Sequence, residues 1–236
     1  MNLSVILPTY NESQNIVQLV KEIGKFIPEN VQAEIIVVDD NSPDNTYQVV
    51  AEKFKNDSSI RVFLRTQDRG LAKSIRYGIE QATGYWILVM DTDFTHNPLE
   101  IPKLLHVAQI YDLVTCSRFC PGGNMQDQYH YIASFVYNLF LRLVLKTQIQ
   151  DNLGGFYVIK RKHVLQLPFD KIFFGYGEYY FRLLHFAQQY NFSIVEIPAN
   201  YLNRSTGKSK SNFFKMIFTY TWAAILLKLK SKSDLR

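Results

Sequence analysis

The chain is poor in cysteine, has no glycine-rich phosphate loop, and shows no secretion-signal pattern in its first residues. Each lack removes a class of protein. Two cysteines, Cys116 and Cys120, among 236 residues cannot build a disulfide framework, and no histidine or acid lies between them to complete a zinc site. Their scarcity fits a reducing, cytoplasmic compartment. Neither GxGxxG nor GxxxxGK[ST] occurs, which excludes the two familiar glycine-loop routes to nucleotide phosphates. The start, "MNLSVILPTY", shows no basic segment followed by a long apolar run, so a cleaved secretion signal is not expected. There is no internal repeat, low-complexity tract or domain linker.

What is present suits one sizeable core. Hydrophobic side chains make up 47% of the chain, enough for one large domain rather than two small ones. "LSVILPTY", "EIIVVDD", "IRVFLR" and "YWILVMD" are apolar, β-branched runs. Between them, "NIVQLVKEIGKFI", "TYQVVAEKF" and "LAKSIRYGIEQA" carry apolar residues at helical spacing, with Ser42 or Asp44 placed to cap the second helix and Pro43 at an early position. Continuous apolar strands alternating with amphipathic helices predict an α/β fold with a mainly parallel, covered sheet. "YDLVTCSRF", "GGFYVIKR" and "FSIVEIPANYL" read as further strands, and "YIASFVYNLFLRLVL" and "GEYYFRLLHFAQQY" as helices.

Acids stand where such a sheet binds ligands, beyond the carboxyl ends of its strands. "PTYNE" ends the first strand, "DDNSPDNT" the second and "DTD" the fourth. Asp91 and Asp93, one residue apart, are suited to hold a divalent cation through oxygen, leaving its other positions to water and phosphate. An isolated DxD is equally at home as a helix cap. His96, nearby, reads as a surface or hydrogen-bonding residue, since hard cations prefer oxygen. The modest formal charge of +5 is unevenly spread: Lys208, Lys210, Lys215, Lys228, Lys230, Lys232 and Arg236 face only Asp234 near the C-terminus, which calls for an anionic partner or surface.

Taken in order, "VILPTYNE", "IIVVDDNSPDNT", "RGLAKSIRYGI", "DTDFTHNP", "SRF" followed by "GG", "DNLGGFYVIKR" and "NRSTGKSK" resemble the inverting family 2 glycosyltransferases. Within that family the likeness is to the dolichol-phosphate mannose synthases and bacterial polyprenyl-phosphate sugar transferases. The resemblance implies a nucleotide-diphospho-sugar transferase (GT-A type) fold with C-terminal amphipathic helices, a GDP- or UDP-hexose donor, a Mg²⁺ or Mn²⁺ ion, and a polyprenyl or dolichyl phosphate acceptor. The sugar transferred would be of mannose or glucose type. The resemblance also implies work at the cytoplasmic face of a membrane, with no part for nucleic acid and room for an oligomer or a membrane partner subunit. Its catalytic domain spans 1–212, and 213–236 form a basic amphipathic helix at the membrane interface rather than a separate domain.

The same resemblance assigns residues. Pro8, Tyr10 and Glu12 embrace the nucleoside, and Asp39 or Asp40 binds base or ribose. Asp91 and Asp93 stand at the metal and diphosphate, with Thr95 as a further ligand. Arg204 and Lys210 lie on a loop that folds over the donor. Arg118 and the retained Ser134 grip the acceptor phosphate, with His130 the one basic residue in "DQYHYIAS", where the mannose synthases carry a basic cluster; Glu178 lies near the acceptor. Relatives that use sugar hydroxyls carry a second acid after that glutamate, where this chain has Tyr179. A phosphate monoester is already ionised and needs alignment rather than a base, so Tyr179 favours a phosphate acceptor. Two alternatives stay open: transfer to a saccharide or lipid hydroxyl with Glu178 or Asp151 as base, and a non-catalytic nucleotide-sugar-binding or membrane-adaptor protein. The uncharged run from Met216 to Leu227 is twelve residues, short of the about 20 that span a bilayer. With its aromatics and flanking lysines it predicts a helix lying in the interface.

Overall fold

A computed structural model describes residues 2–203 and 213–233. Three strand–helix units open the fold: β1 (Asn2–Thr9), α1 (Ile16–Phe26), β2 (Gln32–Asp39), α2 (Thr46–Lys53), β3 (Ile60–Leu64) and α3 (Leu71–Gln81). Then come β4 (Trp86–Val89), α4 (Ile101–Val107), β5 (Leu113–Ser117), β6 (Asn124–Met125) and α5 (Gln128–Leu145). The remainder comprises β7 (Tyr157–Lys160), α6 (Arg161–Val164), α7 (Phe169–Ile172), α8 (Tyr179–Gln189), β8 (Ile194–Pro198), β9 (Asn200–Tyr201) and α9 (Phe213–Ser233).

Seven strands form one sheet in the order β3-β2-β1-β4-β7-β5-β8, and β6 pairs with β9 in a separate two-stranded ribbon. β1 runs parallel to both β2 and β4, and β8 runs parallel to β5. β7 lies antiparallel to β4 and to β5. The expected mainly parallel sheet is present, with one reversed strand inside it. Local pattern does not reveal that reversal, because a strand buried on both faces reads as a plain apolar run in either direction.

Alternation in β1 divides the core. Leu3, Val5 and Leu7 face a layer containing Ile16, Leu19, Val20 and Ile23 of α1, Val50 of α2 and Leu104 of α4. Ile6 faces the opposite layer, with Ile75 and Ile79 of α3 and Leu183 and Leu184 of α8. Each such aliphatic side chain contributes about 1.5–3 kcal/mol on burial. A third cluster joins Leu141 and Leu145 of α5, Phe181 of α8, and Tyr220, Ala224 and Leu227 of α9. α4 carries a compact stripe of Ile101, Leu104 and Leu105 that sequence reading passed over.

The order β3-β2-β1-β4 fixes the site. The chain steps outward from β1 to β3, then crosses back to β4 on the other side of β1. Loops leaving β1 and β4 therefore diverge and open a crevice at the strands' carboxyl ends. Both cysteines are buried free thiols.

Candidate functional site

The crevice is a cleft of about 530 Å³, lined in part by Tyr10, Glu12, Asp40, Asp91 and Asp93. Six of the residues that the resemblance assigns to donor or metal, Pro8 among them, thus meet from three separate strand ends. The β1 loop turns at Asn11, whose φ is 57°, a left-handed value that asparagine tolerates better than most residues. It is braced by the β2 loop: Glu12 N donates to Thr46 Oγ1 at 3.0 Å and Ser13 N to Asp44 Oδ2 at 3.0 Å. Asp44 also accepts from Thr46 N at 3.1 Å, but the cap position of α2 is taken by Asn45, which makes no side-chain cap bond, so neither Ser42 nor Asp44 stands there. Glu12 is held in turn by Asn15 Nδ2 at 2.8 Å.

The two acids after β2 part company. Asp39 has no exposed surface; it accepts from Thr9 Oγ1 at 3.1 Å and from Ser42 N at 2.9 Å. It fixes the loops and does not face the cleft, which corrects its expected contact with base or ribose. Asp40 does line the cleft. Its Oδ1 accepts from Arg65 Nη1 at 2.6 Å and Ser74 Oγ at 2.7 Å, and its Oδ2 from Gly70 N at 2.5 Å. Arg65, Gly70 and Ser74 escaped sequence reading, although "RGLAKS" was the visible signal for the last two. Gly70 sits at φ 138°, a conformation that glycine adopts at least cost. The neighbouring Arg69 holds its guanidinium 5.1 Å from the ring centroid of Tyr10, a cation–π contact on the cleft wall.

After β4 the backbone itself is constrained. Phe94 has φ 66°, a rare conformation for an aromatic residue and a mark of functional loops. Asp91 N donates to His96 Nδ1 at 2.9 Å, while His96 Nε2 lies 3.0 Å from the Gly154 carbonyl. The first bond needs a bare Nδ1 and the second a protonated Nε2, so this ring is the neutral Nε2–H tautomer. His96 is 1% exposed and stacks on Phe156 at 5.0 Å. It is a hydrogen-bonding residue as expected, but in the core and not on the surface. Thr95 Oγ1 donates to Asp93 Oδ1 at 2.6 Å, and Thr95 N to the same oxygen at 3.0 Å. Its geometry orients Asp93; the cleft lining does not include it, contrary to its expected place as a metal ligand.

The expected acceptor residues are not gathered in the cleft. Arg118 is buried against Asp151, with Nε to Oδ2 at 2.8 Å and Nη2 to Oδ1 at 2.7 Å. Burial opposes its charge, and the adjacent Asp151 carboxylate outweighs that and raises its pKa. Such a two-pronged pair already occupies the guanidinium fork that an acceptor phosphate would need. His130 is exposed and bonded through Nδ1 to Asp127 Oδ2 at 2.7 Å, while Asp127 caps α5 by accepting from His130 N. Ser134, half-buried, gives its carbonyl to Asn138 Nδ2 at 2.9 Å. Glu178 is turned into its own loop, accepting from Tyr176 N at 2.9 Å and lying 3.5 Å from Arg182 Nη2. The cleft lining is completed by residues that include Tyr176, Gly177 and Tyr220, which sequence reading did not single out for the cleft. Arg204 and Lys210 lie outside the described residues.

A covered sheet with a switch point between β1 and β4, and acids at three strand ends, defines a nucleotide-sugar transferase architecture of GT-A type. The model for "Glycosyl transferase family 2" matches residues 4–167, and the chain belongs to that family. It is 31% identical to dolichol-phosphate mannosyltransferase of Pyrococcus furiosus over 93% of this chain, spanning 62% of that protein. It is 31% identical to undecaprenyl-phosphate mannosyltransferase of Micrococcus luteus, over 89% of this chain and 87% of that one. Polyprenol monophosphomannose synthase of Mycolicibacterium smegmatis is also 31% identical, over 87% and 79%. Among solved structures, glucosyl-3-phosphoglycerate synthase of Mycobacterium tuberculosis, in complex with Mn²⁺, UDP and phosphoglyceric acid, superposes with TM-score 0.72 at 19% identity. That match covers 96% of this chain and 78% of the other, and it establishes the fold alone.

Proposed function

We propose that the chain is an inverting transferase that moves a hexose from a GDP- or UDP-sugar onto the phosphate of a polyprenyl or dolichyl phosphate. The observation that carries this reading is the convergence of Tyr10, Glu12, Asp40, Asp91 and Asp93 in one cleft, in a chain whose relatives bear polyprenol-phosphate mannosyltransferase names. Tyr10, Pro8 and Glu12 form the nucleoside end, and Asp40 holds the loop of Arg69 and Gly70 against it. Asp91 and Asp93 stand at the diphosphate.

Two carboxylates suit a hard divalent cation, Mg²⁺ or Mn²⁺. The donor set here fits such an ion only together with ligand oxygens, because no cluster of three histidine, cysteine or acidic residues occurs among the described residues. Asp93, oriented by Thr95, and Asp91, whose backbone is fixed by His96, would hold it. When bound, the cation neutralises the diphosphate and stabilises it as leaving group. A non-bridging oxygen of the lipid phosphate forms the bond to C1 of the sugar from the opposite face. The C1–O bond to the diphosphate breaks, and the nucleoside diphosphate departs with the electron pair. No proton moves, so no general base is required. Asp151, buried beneath Arg118, and Glu178, folded into its loop, are both poorly placed to act as one. That disfavours transfer to a hydroxyl.

Among the described residues no helix is long and apolar enough to cross a membrane. α9 exposes Phe218 at 74% and Leu229 at 59%, while α5 exposes Ile132 at 61% and Leu143 at 73%. These two apolar faces support peripheral seating on a lipid surface. The test is incubation with a panel of nucleotide sugars, Mn²⁺ and a short polyprenyl phosphate in mixed micelles, with products read by mass spectrometry. A hexosyl phosphopolyprenol from one donor class supports the reading; nucleotide sugars recovered unchanged in every combination contradict it.

A further inference from the structure

α9 does two things at once. Its outer face exposes Phe218, Trp222 and Leu229, and its inner face packs Tyr220, Ala224 and Leu227 on α5 and α8. Tyr137 Oη of α5 lies 3.1 Å from Thr221 Oγ1, joining the two helices with exposed apolar faces. Tyr220, one residue earlier, reaches the cleft and lines it beside Gly177, with its ring edge-on to Phe181 at 6.1 Å.

The contact between Tyr220 and Gly177 leaves no room. A Cβ built on Gly177 would overlap the Tyr220 hydroxyl, and the glycine's φ is not in the positive range that would itself demand glycine. Glycine is needed here for close approach. Tyr176 and Gly177 belong to a loop held firmly from its other side. Arg182 Nη1 donates to the Phe174 carbonyl at 2.7 Å, and its guanidinium lies 3.6 Å from the Phe174 ring centroid. Glu178 ties the loop to Tyr176 N. One end of the loop is thus anchored in α8, and the cleft-facing end rests on a side chain of α9.

We infer that Tyr220 is a positioning residue which couples the seating of α9 on a lipid surface to the binding of nucleotide in the cleft. The inference rests on the donor reading above and extends it to regulation by the membrane. Docking of the outer face fixes α9, and Tyr220 then sets the wall formed by Tyr176 and Gly177 against the acids. Coupling between two binding events is reciprocal: nucleotide must strengthen lipid binding by the same factor as lipid strengthens nucleotide binding.

The experiment needs neither sugar nor acceptor. Binding of GDP and of UDP, each with Mn²⁺, is measured by calorimetry with and without vesicles of phosphatidylglycerol and phosphatidylcholine, and vesicle binding is measured by flotation with and without nucleotide. For the unaltered chain each ligand strengthens the other about fivefold or more. In Tyr220→Phe that ratio falls to about one, whatever happens to either affinity alone. Gly177→Ala uncouples in the same way by displacing the hydroxyl, and Gly177→Ala with Tyr220→Phe regains coupling, because the added methyl fills the space the oxygen vacates. Equal vesicle binding with and without nucleotide, undiminished coupling in Tyr220→Phe, or a double variant as uncoupled as Gly177→Ala overturns the inference. A chain that binds neither nucleotide with or without vesicles overturns the donor reading itself, and this inference with it.

Discussion

Arg118 and Asp151 form a two-pronged ion pair in which the carboxylate has no exposed surface and the arginine side chain only 9%. Rings of Phe119 and Tyr201 flank the guanidinium, each centroid 5.1 Å away. The pair ties the end of β5 to the segment before β7, with Nε and Nη2 committed to Asp151 and Nη1 lying 4.0 Å from Met125 Sδ. Removing one member leaves the other buried and uncompensated. Arg118→Ala is therefore expected to lower the unfolding free energy by about 3–5 kcal/mol, read from urea denaturation. Unchanged stability with a raised acceptor KM would return Arg118 to the phosphate.

Asp93→Ala is expected to abolish turnover in a chain that still folds, at a cost of about 1–3 kcal/mol in unfolding free energy, because Asp93 is buried and Thr95 N and Oγ1 lose their acceptor. The residue acts on charge at a strand end more than on packing. Metal titrations of both proteins provide the check. Substantial activity of the variant without added metal would remove Asp93 from this role.

Glu178→Gln separates the two kinds of acceptor. The carboxylate supports a loop, so the amide variant should keep kcat within about tenfold, whereas loss of a general base costs about 10²- to 10⁴-fold. The assay is run with donor and metal saturating. A thousandfold loss with unchanged nucleotide affinity would favour a hydroxyl acceptor.

Stability in acid has one clear contributor. Burial raises the Glu34 carboxyl pKa, but hydrogen bonds from Ser4, Thr83 and Arg61 outweigh it and bring it from 4.5 down to about 2. A carboxylate whose pKa is lowered by folding stabilises the protein above its unfolded pKa, and that stabilisation fades as pH falls towards the folded value. Between about pH 4.5 and 2 the parent should lose about 2 kcal/mol through this group, discounted for partial exposure. Glu34→Gln should be less stable at neutral pH and show a flatter acid limb in pH-dependent denaturation. Parallel curves for the two proteins would contradict this.

Strands ending in acids were legible in sequence because apolar runs and their polar ends are local signals. "ILVMDTDF" announces both the strand and the cleft-facing Asp91 and Asp93. Three features were not legible, and each is relational. The reversal of β7 depends on which strands neighbour it. The capture of Arg118 by Asp151 joins residues 33 positions apart, and no local pattern marks one arginine for a ligand and another for a buried acid. The inward turn of Tyr220 depends on where α9 lands, since that helix is apolar on most sides and its sequence alone does not choose a buried face. Asp39 and Asp40 make the same point within one dipeptide: consecutive residues of a strand end point to opposite sides, so one acid braces the loops and the other meets the cleft.

A paired competition distinguishes a phosphate acceptor from a hydroxyl. Equal concentrations of a polyprenyl phosphate and the matching polyprenol are offered with the donor identified by the panel and Mn²⁺, and hexosylated products are quantified by mass spectrometry. Hexosyl phosphopolyprenol is the expected product, released with one nucleoside diphosphate per transfer and without hexosyl polyprenol. A hexosyl polyprenol as the main product would contradict the phosphate acceptor.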